Sequence, residues 1–264
     1  MAGGAETVLV TGASSGIGEE LAKIFAAEGH DLILVARSED KLEKLADKLA
    51  AEHDVAISVR PADLSKKGAA SRLAKNLERE GYPVDILVNN AGVLQHGAFV
   101  DMTPADHQRM VQLNVVGLTD LLACFLPAMV ERGSGRVLNV ASIASFMPVP
   151  SLATYAATKA YVLSLGEALS EELRGSGVTI TTLCPGVTET NMVDKAMAES
   201  DGLKLPSMVI GDAAAVARDG FKSCMKGETI VVPGTINQAL TVTARSTPKW
   251  LLQRLTGLMG RSTL

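Results

Sequence analysis

Six short apolar runs, separated by segments of helical period, constrain this chain more than any other feature. They are Thr7 to Val10, Leu32 to Val35, Val55 to Val59, Ile86 to Val88, Val137 to Val140 and Val178 to Leu183. Uninterrupted aliphatic and β-branched runs of this length suit strands buried on both faces of a parallel sheet. Between them, Ile17 to Glu28 and Glu39 to Glu52 read as helices, with Leu42, Leu45 and Leu49 marking one face of the second. Thr103 and Pro104 open another helix as N-cap and first-turn proline. Asp212 caps a helix through Met225, and Thr229 to Val232 forms a seventh strand. The expected class is therefore α/β: a doubly wound, mostly parallel seven-stranded sheet with helices on both faces and right-handed crossovers.

The 264 residues accommodate one such domain, expected over residues 1–234. Neither a linker nor an internal repeat interrupts it. Thr188 to Ile210 breaks the strand–helix rhythm, and its Met192, Met197 and Met208 suit an adaptable lid over a substrate. Ordinary loop packing would use the same residues. The tail from Thr235 to Leu264 carries Arg245, Lys249, Arg254 and Arg261, with Trp250, Leu251, Leu255, Leu258 and Met259 at helical spacing. A helix packed on the domain or on an oligomer partner is expected there in preference to one lying on a membrane surface.

Thr11-Gly12-Ala13-Ser14-Ser15-Gly16-Ile17-Gly18 joins the first strand to the first helix. Bare glycines admit a pyrophosphate to the backbone, and the helix N-terminus offers unpaired amides and a positive dipole end. The spacing is Gly-x-x-x-Gly-x-Gly, and its place between strand and helix points to a dinucleotide. An acidic residue at the end of the second strand would select NAD. That stretch reads Val35-Ala36-Arg37-Ser38, and Arg37 can pair with a 2′-phosphate, so NADP is favoured over NAD. Alternatively Arg37 is a solvent-facing loop charge, and Glu39 could reach a ribose.

Tyr155 and Lys159 stand four residues apart, on one face of a helix if the segment is helical. A lysine charge held near a phenol lowers its pKa, which suits the pair to acid–base work. Asp63-Leu64 and Asn89-Asn90-Ala91-Gly92 follow the third and fourth strands, at the carboxyl ends where open α/β sheets bind ligands. In isolation either stretch is a turn. Ser142 ends the fifth strand and alone reads as a cap. Asn114 lies inside a helix, where asparagine is mildly unfavourable, and a buried amide contact would account for it.

Residues 11–18, 89–92, Asn114, Ser142, Tyr155-x-x-x-Lys159 and Pro185-Gly186 stand in the order and spacing of the short-chain dehydrogenase/reductase family, which the chain resembles over residues 6–233. The resemblance implies a Rossmann-type sheet and an NADPH-dependent oxidoreductase that interconverts a ketone and a secondary alcohol. It implies that Tyr155 exchanges a proton with the substrate oxygen and that Ser142 polarises the carbonyl. Lys159 would lower the Tyr155 pKa and bond the nicotinamide ribose, and Asn114 would hold a water that relays protons. Gly12, Ser14, Ser15, Gly16, Ile17 and Gly18 would surround the pyrophosphate and adenosine ribose, with Arg37 and Ser38 beside the 2′-phosphate. Asp63 and Leu64 would flank the adenine; Asn90, Ala91 and Gly92 would flank the adjoining ribose. Pro185, Gly186, Thr188 and Thr190 would cover the nicotinamide. Thr188 departs from the family, which often has Val or Ile there. The resemblance also implies a homodimer or homotetramer.

The bulk composition agrees with these expectations. A net charge of -4 and 3% aromatic residues give no basic field or stacking platform for nucleic acid. Cys124, Cys184 and Cys224 have no disulfide or zinc spacing, which suits a reducing, cytoplasmic compartment. No metal site is expected from His30, His53, His96 and His107, and His96 is a lesser candidate for lining the site. No signal peptide is expected, and no apolar run reads as long enough to span a bilayer. Two other readings stay open: a non-catalytic NADP-binding sensor or scaffold, and a membrane-surface reductase of lipid-like ketones.

Overall fold

The computed structural model describes residues 5–189 and 211–247. The expected lid and the tail beyond residue 247 therefore lie outside the described residues. Seven strands form one parallel sheet in the order β3-β2-β1-β4-β5-β6-β7. They are β1 (Thr7–Thr11), β2 (Asp31–Ala36), β3 (Ile57–Pro61), β4 (Ile86–Asn89), β5 (Gly135–Val140), β6 (Val178–Leu183) and β7 (Ile230–Val231). Every neighbouring pair is parallel, so the sheet is wholly and not just mostly so. At the edges the strands depart from the apolar runs. β3 begins two residues later than expected and ends on Pro61, and β7 keeps only two residues of Thr229 to Val232.

The helices are α1 (Gly16–Ala27), α2 (Glu39–Glu52), α3 (Ala69–Arg79), α4 (Pro104–Val111), α5 (Leu118–Glu131), α6 (Ala153–Glu172), α7 (Ala213–Lys226) and α8 (Thr235–Ser246). Alternation along each strand sends side chains to opposite faces. Leu9, Leu87, Val137 and Ile180 face one way, in a core shared with Leu73 of α3, Phe125 of α5 and Val162 of α6. Val8, Val10, Ile86 and Leu138 face the other, with Leu21 of α1, Leu42 of α2 and Val216 of α7.

Two helix starts follow their sequence signals. Thr103 Oγ1 accepts from the Asp106 amide at 3.3 Å while the Asp106 carboxylate accepts from the Thr103 amide at 3.2 Å, a reciprocal cap ahead of Pro104. The Asp212 carboxylate accepts from the Ala214 and Ala215 amides at 3.1 and 3.0 Å.

α4 and α5 are one continuous helix joined by a π-helical turn, Gln112–Gly117. By length and composition alone this 28-residue helix, Pro104–Glu131, is apolar enough to cross a bilayer, contrary to the sequence reading. Leu118, Leu121, Leu122, Phe125 and Met129 are instead buried in the sheet's core. α8, the start of the tail, packs against the short 3-10 turn Ile143–Phe146, with Thr241 and Ala244 buried.

Candidate active site

The carboxyl ends of the strands open into one cleft, centred where the strand order reverses between β1 and β4. Its empty volume, open mouth included, is about 1240 Å³. Gly12, Ser14, Ser15, Gly16 and Ile17 line it from the β1–α1 turn, Arg37 and Ser38 from the end of β2, and Asp63 and Leu64 from beyond β3. Asn90, Ala91 and Gly92 contribute from the end of β4, Ser142 from β5, Tyr155 and Lys159 from α6, and Pro185, Gly186 and Thr188 from beyond β6. Thr190 lies outside the described residues. His96 and Asn114 are not among the lining residues, and neither is Gly18.

Gly12 and Gly16 have φ of +67° and +58°, a left-handed backbone that strains side-chain-bearing residues. The N-cap Ser15 makes no side-chain cap, which leaves the first amides of α1 facing the cleft without an internal partner. Gly18 lies behind the turn. A Cβ there would stand 2.3 Å from Asn90 Nδ2 and 2.4 Å from the Gly12 carbonyl oxygen, so Gly18 permits close packing behind the turn. Asn90 braces the same turn: its Nδ2 donates to the Thr11 carbonyl at 2.9 Å. Thr11 Oγ1 accepts from the Asn90 and Ala91 amides, each at 3.0 Å, and donates to the Val88 carbonyl.

Asp63 accepts from the Ser65 amide at 3.1 Å and the Ser65 hydroxyl at 2.6 Å. Burial works to raise its pKa, but the Ser65 bonds and the Arg37 and Lys66 charges outweigh it and hold the carboxyl below its usual range. Arg37 therefore already faces one anion at this end of the cleft.

Ser142, Tyr155, Lys159 and Asn114 are all buried. Ser142 Oγ accepts from the Ala144 amide at 3.1 Å, the capping role its sequence position suggested, and the Ser142 hydroxyl acts to lower the Tyr155 pKa. Lys159 Nζ donates to the Val140 carbonyl at 2.7 Å and stands 5.8 Å from the centre of the Tyr155 ring. A Cβ at Gly92 would crowd Asn114 Oδ1 at 3.3 Å, while Lys159 Nζ would stand at ordinary contact distance, 3.5 Å.

Asn114 sits in the π turn. Its Oδ1 accepts from the Val93 amide and its Nδ2 donates to the Val93 carbonyl, both at 2.9 Å, much as a neighbouring strand would. The second Nδ2 proton goes to Thr158 Oγ1 at 3.1 Å, and Thr158 donates to the Tyr155 carbonyl at 2.7 Å. The buried contact that explains an asparagine here is thus present in full. π turns mark helices with a local functional distortion.

The expected depression of the Tyr155 pKa does not occur in the protein alone. Burial pushes the phenol up to about 12 against the lowering effect of the Ser142 hydroxyl. Burial also brings the Lys159 ammonium down from the usual 10.5 to about 8. Desolvation of the charged form is the largest cause in both cases.

Sequence reasoning missed Val93, Leu113, Val140 and Ala141 on the cleft wall. It also missed Thr158, which ties Asn114 to α6. These are apolar or neutral residues with no motif to announce them.

Comparison with known proteins agrees with this geometry. The family model for short chain dehydrogenase matches residues 6–201. Oxidoreductase UcpA of Salmonella typhimurium is 36% identical over 197 residues, covering 74% of each chain. A short-chain dehydrogenase from Sphingobium yanoikuyae in complex with NADPH superposes with a TM-score of 0.81 at 32% identity, covering 92% of this chain and 97% of that one. The bulky-bulky ketone specific alcohol dehydrogenase from Comamonas testosteroni gives 0.79 at 31%, covering 97% and 94%. A short chain dehydrogenase/reductase from Burkholderia phymatum in complex with NAD gives 0.79 at 26%, covering 90% and 92%.

Proposed function

The chain belongs to the short-chain dehydrogenase/reductase family of oxidoreductases, and we propose that it is an NADPH-dependent reductase of ketones. One observation carries this reading. The Tyr155 side chain, with Ser142 beside it on the wall, lies on the same cleft as the open glycine turn and Arg37.

The cleft residues fit a dinucleotide phosphate. Uncapped amides at the start of α1 suit a pyrophosphate. Arg37, with no carboxylate in Val35 to Ser38, suits a 2′-phosphate. Pro185, Gly186 and Thr188 bound the opposite end, where the nicotinamide would lie. The chemistry a reduced nicotinamide would bring to that end of the cleft is a hydride for the carbonyl carbon.

The protein's own residues handle the charge that then appears on oxygen. Ser142 and Tyr155 aim two hydroxyls at it, as an oxyanion hole does. Tyr155 gives up its proton, and the charge on Lys159 favours the resulting phenolate. A phenol is protonated at neutral pH and so carries the proton that reduction needs; burial by itself makes it a weaker acid, which the charge on Lys159 has to offset. In the same reading Asn114 sets Val93 and, through Thr158, the first turns of α6.

The exposed apolar side chains Val111 and Tyr161 on the outer face of the π-containing helix and α6 support self-association through those helices. None of Cys124, Cys184 and Cys224 is in a disulfide, in keeping with a cytoplasmic setting. The test is NADPH oxidation across a ketone panel by wild type and Tyr155→Phe. Binding of NADPH without turnover of any ketone would point to a sensor instead.

A further inference from the structure

The loop after Gly92 builds the wall beside Tyr155. Val93, Leu94 and Met102 pack on a small core of Met110, Ala144, Tyr155 and Ala156. The far half of this loop is tied to the first turn of α6 by contacts that the reaction itself does not use. The Gly97 amide donates to the Ser151 carbonyl at 2.9 Å. Ser151 has φ +64°, and among the described residues it is the non-glycine in the left-handed region, a conformation that persists only where surroundings hold it.

His107 of α4 completes the set. Its ring stacks on Phe99 of the loop, with centroids 4.2 Å apart and planes at 27°. Its Nε2 lies 3.2 Å from the Phe99 carbonyl oxygen and its Nδ1 lies 2.8 Å from Thr154 Oγ1. A carbonyl only accepts, so Nε2 carries the proton, and in the neutral ring Nδ1 accepts from the Thr154 hydroxyl. Thr154 immediately precedes Tyr155.

We propose that His107 is a positioning residue that sets the substrate-facing wall. By bridging Phe99 and Thr154 it holds the Val93–Met102 loop at a defined distance from the Tyr155 hydroxyl, and so selects ketones with a bulky apolar flank. This rests on the ketone-reductase reading. Val93 is the residue of this loop that stands on the cleft wall, so on this proposal a ketone large enough to press on that wall depends on the bridge and a small one does not. A bulky one is held in register by it, and misplacement of a reacting carbonyl is costly.

The experiment compares His107→Leu, His107→Gln and Thr154→Val with wild type, using ethyl acetoacetate and benzophenone as small and bulky ketones. His107→Leu should raise KM for benzophenone roughly ten-fold or more, with kcat less affected and with ethyl acetoacetate and NADPH binding near wild type. Thr154→Val should move the same way. His107→Gln, which offers one donor and one acceptor, should recover most of the loss. Hydrogen exchange reads the bridge without turnover: the Gly97 amide should exchange faster in His107→Leu while β4 amides do not change. Equal losses for both ketones, or unchanged Gly97 exchange, would overturn the proposal. A wild type that reduces no ketone, with the Gly97 difference present, would sink the reductase reading and leave the bridge standing.

Discussion

The Lys159 ammonium donates to the carbonyl of Val140 at 2.7 Å, which ties α6 to the end of β5 two residues before Ser142. This bond sets the spacing between the two hydroxyls of the site. It also keeps a charge in a place where burial opposes it.

That opposition gives a pH signature in stability. Lys159 titrates near 8 when folded and near 10.5 when free, so between these values the unfolded chain binds more protons and stability rises with pH. Tyr155 works the other way. Its folded value of about 12 exceeds the usual 10, so its contribution is complete below 10 and lost as pH climbs through 12. Urea unfolding from pH 7 to 9.5 is read as the difference from Lys159→Met, which cancels the opposite contribution of the buried Cys224 thiol, pushed up from 9.0 to about 12. Wild type should gain stability relative to Lys159→Met across that range, and a relative decline would contradict the assigned burial.

Tyr155→Phe removes the proton donor and leaves the ring. The rate of NADPH oxidation with a ketone should fall by about 10²–10⁴-fold. NADPH binding, followed by nucleotide fluorescence, should stay near wild type. Turnover retained in the variant would remove Tyr155 from the mechanism.

Arg37→Asp replaces the cation expected at a 2′-phosphate with an anion, beside an Asp63 that Arg37 already helps to keep ionised. Loss of a charge-assisted bond of about 1.5–3 kcal/mol predicts a fall of roughly 10–150-fold in kcat/KM for NADPH relative to NADH. An unmoved ratio would show that Arg37 is a solvent-facing charge.

Gly166 lets α6 lie close on β6. A Cβ there would stand 2.1 Å from Thr182 Oγ1, a buried hydroxyl without a hydrogen-bond partner. Alanine favours a helix over glycine by about 1 kcal/mol, but overpacking costs about 1–3 kcal/mol, so Gly166→Ala should destabilise on balance. Adding Thr182→Ala removes the obstructing oxygen without breaking a bond. The double variant should be more stable than Gly166→Ala in thermal melts, and a further loss would show that the crowding lies elsewhere.

Strand positions were legible because burial on both faces demands continuous apolar residues, whatever the partners. The strands at the sheet's edges were read less well, since Ile57–Pro61 and Ile230–Val231 are partly covered and their ends depend on neighbours. The glycine turn was legible because its backbone is a local demand. The crowding at Gly18 was only half local: one group it avoids is the Gly12 carbonyl, six positions back, but the other is Asn90, 72 positions away.

By itself, the sequence determined the parallel α/β class, the glycine turn and the candidate acid–base pair, since each rests on contacts within a few residues or on a period of burial. Tertiary structure alone decided the charge states and the supports. Whether the Tyr155 phenol is acidic or basic depends on how completely α6 is covered, and coverage is a property of the packed whole. Asn114 meets Val93, His107 meets Thr154 and Gly166 meets Thr182 only after the helices dock on the sheet, so no local pattern of residues marks them.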